Sequence, residues 1–440
     1  MKLFKHQIEA LKKSKGLNHV AYFWDMGLGK TYGGSEKAME LDERYILIVC
    51  QKSKILDWMN HFFTNYIDKT KCDESGAWCY DLTTNNGIDM FFHSRYNKVI
   101  GIINYDLVWR RPDLLKLTEF TLILDESSLI QNTDTKRTEF ILKLQPKNVI
   151  LLSGTPCSGK YENLWSQMHL LGWNISEDLF RKQYTKVEYI DTDTRTIPVV
   201  VDYKNVERLK RKMADHGCQF LKTEEVFDLP EQVFTKTYVE QSDLYKKFRQ
   251  KRFLEFQWCD EEVELVGDTT LTKMLYEREL CGIYSEAKLD AFNDLISTCD
   301  DRFIVFYNFN LELEQLLIIA EENDRPVSIV NGKTKDLRAY EDTDNSITFV
   351  QYQSGSKGLN LQKANRIIFF TPTLSCEDWM QSAKRIHRIG QTKTCFYYQM
   401  IVKNSVEEKI YKALEMGVNY TNDLFEKDDE NDRSTISKES

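Results

Sequence analysis

Continuous apolar runs recur along the chain, and each ends in polar or glycine-bearing residues. In the first half they fill residues 20–24, 45–50, 98–103, 121–124 and 149–152; in the second, residues 303–307, 327–330, 347–350 and 366–370. Each reads as a strand, and residues 45–50, continuous rather than alternating, predict one buried on both faces of a sheet. Between them, residues 3–13, residues 31–41 and the stretch around Trp58 read as helices. Strands that alternate with helices make parallel sheets, whose ligand sites lie at the carboxyl edge. The pattern predicts an α/β chain with one sheet-bearing lobe in residues 1–171 and a second in residues 285–416. Residues 172–284 show mixed charge at helix-like spacing and no chemical motif.

Chemistry collects where the runs end. Residues 20–24 lead into Asp25-Met26-Gly27-Leu28-Gly29-Lys30-Thr31. A strand, a glycine-rich turn, Lys-Thr and a helix together build a phosphate cradle. Backbone N–H groups converge on the phosphates, the lysine reaches the β and γ oxygens, and the threonine hydroxyl ligates Mg2+. Trp24 stands where the usual eight-residue pattern has its first glycine, and a bare Gly-Lys-Thr also arises in chance loops. Gly27, Gly29, Lys30 and Thr31 are the nucleotide-site candidates. Upstream, Gln7 offers an amide donor and acceptor that suit an adenine edge, although a lone helical glutamine is ordinarily solvated.

The run at 121–124 ends in Asp125-Glu126. Asp125 is placed to hold Mg2+ through its water shell, and Glu126 to orient and deprotonate an attacking water. A surface Asp-Glu pair is the bland alternative. The run at 149–152 ends in Ser153-Gly154-Thr155-Pro156, whose Ser153 and Thr155 hydroxyls are expected to hydrogen-bond the acidic motif and sense the nucleotide. In the second half, Gln381, Arg385 and Arg388 stand at i, i+4 and i+7, and on a helix they project from one face. Two guanidinium groups aimed across a cleft neutralise charge building on a γ-phosphate. The alternative is a solvated basic face or a DNA-contacting helix. His387 points elsewhere and reads as structural.

Composition narrows the class. The chain has 440 residues, 42% hydrophobic and 29% charged, as ordinary globular proteins do. No apolar run approaches the roughly 20 residues that span a bilayer, so no membrane partner is expected. The amino terminus is too polar for a secretory signal. The ten cysteines are scattered without a Cys-x-x-Cys pair, which predicts reduced thiols in a cytoplasmic protein and no zinc site. A formal charge of −9 argues mildly against nucleic-acid binding. Residues 421–440 hold seven acids against three bases, however, and a groove needs only a local basic wall. Residues 417–440 are expected to form an acidic, disordered tail.

Taken together these motifs resemble the Swi/Snf-type DNA-dependent ATPases of helicase superfamily two. The resemblance rests on the glutamine motif, DMGLGKT, DESS, LSGTP followed by ENLWSQMHLL, residues 220–230, Gln241 to Tyr245, Ser285-Glu286-Ala287-Lys288-Leu289 and the arginine motif, and it spans residues 3 to about 415. It implies two RecA-like lobes, with helical protrusions and the interlobe connection in 172–284, and a brace helix near Ser405-Val406-Glu407. It implies ATP and Mg2+ as cofactors and double-stranded DNA as partner. Gly358 becomes a nucleotide contact; Lys52, Ser53, Asn104, Tyr105, Lys333, Thr334, Ser354 and Gly355 become contacts to the nucleic-acid backbone, residue types that carry no base code. Ser128 stands where the family has histidine, which bears on coupling of nucleotide to DNA. Compactness suggests a bacterial or viral member.

Three functions share these motifs: a motor that tracks along duplex DNA, a strand-separating DNA or RNA helicase, and a nucleotide-gated interaction module. A helicase needs a wedge, for which only a hairpin within 172–284 offers room. A pure switch need not keep Glu126, Arg385 and Arg388. No motif names the roadblock or partner protein on which a motor would act.

Overall fold

The computed structural model describes residues 3–67, 76–191, 196–258, 261–352 and 359–425. The chain divides into two compact units, residues 1–226 with 419–440, and residues 227–418.

The first unit is built on β1 (His19–Trp24), β2 (Tyr45–Cys50), β3 (Ala77–Asp81), β4 (Lys98–Asn104), β5 (Phe120–Asp125) and β6 (Asn148–Leu152). They join β9 (Cys218–Leu221) in a seven-stranded sheet of order β3-β4-β2-β5-β6-β1-β9, and every pairing is parallel. Central strands are buried at nearly every position, which is why their sequences do not alternate. Because β5, β6 and β1 are neighbours, the turns after Trp24, Asp125 and Leu152 emerge along one carboxyl edge. That edge positions the site.

The second unit repeats the plan with β10 (Gln232–Val239), β13 (Phe303–Tyr307), β14 (Val327–Val330), β15 (Lys335–Asp336), β16 (Ile347–Gln351), β17 (Arg366–Phe369) and β18 (Cys395–Val402), in the order β10-β18-β17-β13-β16-β14-β15. Within this sheet, among the described residues, the short β14–β15 pair alone is antiparallel. Lys288 and Glu407 meet inside this unit at 2.6 Å, both essentially inaccessible to solvent. Glu407 also accepts the Val402 N–H. This pair joins the Ser285–Leu289 stretch to the start of the last helix, Val406–Phe425. A buried ion pair needs such extra hydrogen bonds, and losing one partner leaves an uncompensated charge.

Residues 172–284 hold the helices Glu177–Tyr184, Val206–Asp215, Asp243–Lys251 and Thr270–Gly282. They divide at Val226 between the units and also contribute what the sequence did not suggest, the edge strands β9 and β10 and two antiparallel hairpins, β7 (Thr185–Asp191) with β8 (Thr196–Tyr203) and β11 (Phe253–Trp258) with β12 (Glu261–Val266). Charged residues on the solvent face of a hairpin imitate a helical charge pattern. The carboxyl-terminal helix also runs past residue 417 to Phe425, so only residues from 426 remain of the expected tail, and they lie outside the described residues. Within the first unit, the Tyr420 carbonyl accepts the Tyr161 phenol at 2.9 Å, and its ring is set edge-on to Tyr203. No described helix is long and apolar enough to cross a membrane.

Candidate nucleotide site

The turn after β1 has the backbone that a phosphate cradle requires. Gly27 and Gly29 sit at φ +86° and +73°, conformations that residues with a Cβ rarely adopt. A Cβ on Gly29 would stand 2.3 Å from the Gln7 amide nitrogen, so Gly29 is required for both angle and space. Lys30 opens the helix Lys30–Glu40, and its ammonium donates to the carbonyls of Trp24 and Asp25 at 2.9 and 3.3 Å. Thr31 follows it in the first turn. Gln7 is buried, donates to the carbonyls of Leu28 and Gly29, and accepts the Phe4 N–H. It is therefore a strut of the phosphate loop as well as a candidate base contact. Asp25 ties this loop to the end of β9 by accepting the Thr223 N–H and hydroxyl at 3.1 and 3.2 Å.

The acidic motif stands beside this loop. Asp125 Oδ2 accepts the Trp58 indole N–H at 2.8 Å. Burial, then the neighbouring Glu126, push the Asp125 carboxyl up to about 6, while the Trp58 hydrogen bond, Lys30 and Lys54 pull it down. Glu126 is held at φ 54°, and its Oε2 is buried with no hydrogen-bond partner. A buried acceptor without a donor marks a place for one. The hard oxygens of Thr31 and Asp125 suit Mg2+, and Asp125 keeps its second oxygen clear of Trp58. The residues present fit a nucleotide with its metal.

The coupling residues are placed differently from expectation. Among the described residues no hydrogen bond joins Ser153 or Thr155 to the acidic motif: Ser153 Oγ accepts the Thr155 N–H within its own turn, and Thr155 Oγ1 has no hydrogen-bond partner. The bridge is made by Gln167, which accepts the Ser127 hydroxyl and donates to the Pro156 carbonyl, both at 2.7 Å. Ser128 is wholly buried with its hydroxyl unpartnered. Gln167 lies within ENLWSQMHLL, and no periodicity marks it. Trp58 had a readable signal, since a buried indole N–H must find an acceptor.

Of the expected nucleic-acid contacts, Lys52, Ser53, Lys333 and Thr334 are exposed. Asn331 shapes the second turn, its Oδ1 accepting the N–H groups of Lys333 and Thr334. Asn104 and Tyr105 are corrected. Both are buried, and the Tyr105 phenol donates to the Asp125 carbonyl at 2.9 Å; an aromatic ring with one polar tip is well suited to such a half-apolar seat. Ser354, Gly355 and Gly358 lie outside the described residues.

In the second unit the α-helix Cys376–Ala383 ends before the arginines, so Gln381, Arg385 and Arg388 do not share one helical face. Side chains take the carbonyls that a further turn would use. The Tyr397 hydroxyl bonds Ala383, Arg388 Nε bonds Lys384, and the Gln391 amide bonds Ile386. The arginines nevertheless converge, both donating to the Leu359 carbonyl at 2.9 and 3.2 Å. Burial lowers the proton affinity of Arg388. Gln381 is buried and donates to Glu377. His387 is structural, held between the Pro230 carbonyl and Gln232.

Residues 14–283 match the model of the SNF2-related domain, and residues 287–390 match the helicase conserved C-terminal domain. The chain belongs to the SNF2-related family. As such it is an ATP-hydrolysing enzyme. Over 96% of its length it is 24% identical to the uncharacterized ATP-dependent helicase YqhH of Bacillus subtilis, covering 78% of that protein. Over 88% of its length it is 23% identical to the ISWI chromatin-remodeling complex ATPase ISW2 of Saccharomyces cerevisiae, of which it spans only 37%. The solved Sulfolobus solfataricus SWI2/SNF2 ATPase core in complex with dsDNA overlaps 96% of this SNF2-related chain and 93% of that one, at 18% identity and a TM-score of 0.43.

Proposed function

We propose that this SNF2-related enzyme is an ATP-dependent translocase on double-stranded DNA that does not separate strands, with Mg2+ as its metal. The observation that carries the reading is the complete hydrolytic set. Lys30, Asp125 and Glu126 occupy one sheet edge, and Arg385 and Arg388 meet at one carbonyl. A nucleotide-gated switch has no use for the last three.

Each residue then has a task. Lys30 exchanges its bonds to the Trp24 and Asp25 carbonyls for the β and γ oxygens. Gln7 exchanges a loop carbonyl for the adenine edge. Thr31 and Asp125 would hold the metal, which when bound would neutralise phosphate charge. Glu126 takes the proton of the attacking water, with Tyr105 fixing the backbone of the motif from behind. Arg385 and Arg388 neutralise charge on the γ-phosphate. The Ser127–Gln167–Pro156 chain supplies the link between acidic motif and following turn, the task expected of Ser153 and Thr155.

Duplex is preferred to single-stranded DNA because single-strand grooves present stacking aromatics. Tyr105, the one aromatic among the expected backbone contacts, is buried. Contacts through Lys52, Ser53, Lys333 and Thr334 read backbone and not sequence. Steady-state ATPase assays without DNA, with duplex and with single strands test the reading, with Lys30→Ala as the background. Duplex should stimulate most; stimulation by single strands or RNA alone favours a helicase.

A further inference from the structure

With Asn104 and Tyr105 buried, the first unit keeps only Lys52 and Ser53 of its expected backbone contacts. A second basic cluster lies just beyond Tyr105. The short helix Tyr105–Val108 leads into Trp109, and that indole carries two cations: the Arg110 guanidinium at 4.8 Å from the ring centroid and the Lys136 ammonium at 4.9 Å. Lys136 begins the helix Lys136–Lys143, so the cluster joins two separate elements. The two cations share one ring and lie no farther apart than about twice either distance.

Their neighbours do not neutralise them. Arg110 and Lys136 are exposed, and among the described residues neither has a carboxylate within ion-pair distance. Arg137 reaches only Asp106, at 3.7 Å, and Asp106 is 81% exposed. Arg137 Nε is buried with no hydrogen-bond partner. Arg111 differs: it is spent on the carbonyls of Leu82 and Thr83 and the Asn85 amide oxygen. An exposed cation over an indole gains only about 0.5–1 kcal/mol, and two like charges at one ring repel. Anions bound to the two cations relieve that repulsion. A DNA strand offers a phosphate at every nucleotide, so a fork and an ammonium held on one indole present two cations to neighbouring phosphates. The guanidinium takes one bidentately, and the ammonium takes its neighbour as a point charge.

We propose that Arg110 and Lys136, spaced by Trp109, form a phosphate-backbone contact for duplex DNA on the first unit. The proposal rests on the reading of the enzyme as a duplex motor. It seats the backbone one short helix away from Tyr105, whose phenol grips the acidic motif.

The test compares the full chain with Arg110→Glu/Lys136→Glu and the milder Arg110→Ala/Lys136→Ala. Binding to a random-sequence duplex is measured across a series of KCl concentrations, alongside basal ATP turnover, nucleotide affinity and thermal melting. The charge-reversed protein should bind duplex at least about tenfold more weakly at low salt, and the slope of log affinity against log salt should fall by about two. The alanine pair should show a smaller loss in the same direction. Basal turnover, nucleotide affinity and melting should stay with the parent, which separates a backbone contact from a free-nucleotide site or a folding defect. If the parent binds duplex and both variants match its affinity and slope, the contact is absent and only this proposal falls. If the parent shows no salt-dependent duplex binding, the motor reading falls and takes the proposal with it.

Discussion

Replacing Asp125 by asparagine should stabilise the protein while abolishing its activity. The carboxyl is half-buried, and desolvation together with Glu126 raises it from 3.8 to about 6. The folded state therefore binds this proton more tightly than the unfolded chain does. Above pH 6 the carboxylate is ionised in both states, and folding bears the full penalty. Below about pH 4 it is protonated in both, and the penalty vanishes. A two-unit shift corresponds to about 2–3 kcal/mol. Asparagine removes the charge and keeps an acceptor for the Trp58 N–H, so the gain should approach that figure at pH 8 and be roughly halved at pH 5. In a unit of this size it raises the melting temperature by roughly 5–10 °C. The assay is thermal unfolding of parent and variant at both pH values, with chelator present so that no metal binds Asp125. A variant no more stable than the parent at pH 8, or a gain that does not shrink at pH 5, refutes the reasoning.

Other perturbations separate the roles at the site. Glu126→Gln should bind ATP as the parent does and lose about 100-fold or more in turnover; loss of ATP binding would give Glu126 a different role. Arg385→Ala and Arg388→Ala should lower kcat by about 100-fold or more with little change in ATP affinity, whereas normal turnover with weakened DNA binding would return these residues to a DNA-contacting role. Gly29→Ala places a methyl against the Gln7 amide at a positive φ, so nucleotide affinity should fall by about tenfold, in line with a left-handed penalty of about 1–2 kcal/mol. Unchanged affinity in a nucleotide titration would show that the loop relaxes without cost.

What could be read without coordinates follows from how each feature is encoded. The central strands were legible because strands buried on both faces spell continuous apolar runs, and the phosphate loop because its glycines stand at fixed spacing. Hairpins β7–β8 and β11–β12 were not, since their solvent faces carry charge in a pattern that a helix also produces. The end of the helix at Ala383 depends on Tyr397 and Gln391 capturing carbonyls from positions far along the chain or beyond the turn, and local propensity carries no sign of it. Tyr105 and Gln167 were misjudged or missed for a related reason: a side chain at a strand end or in a helix can face solvent or reach inward, and the choice is made by tertiary partners. The patterns that single out Asp125, Glu126 and Lys30 depend on no such partner. They are local to two turns at one sheet edge.

Movement along duplex DNA without strand separation is the central claim, and a paired displacement assay tests it most directly. A third-strand oligonucleotide is annealed to one duplex, a labelled strand is annealed in an ordinary partial duplex, and both are incubated with the enzyme and ATP. Release of the third strand at a rate that depends on ATP and on Lys30, with the partial duplex left intact, is the predicted result. Robust unwinding of the partial duplex, or no third-strand release while ATP is hydrolysed, would contradict the account.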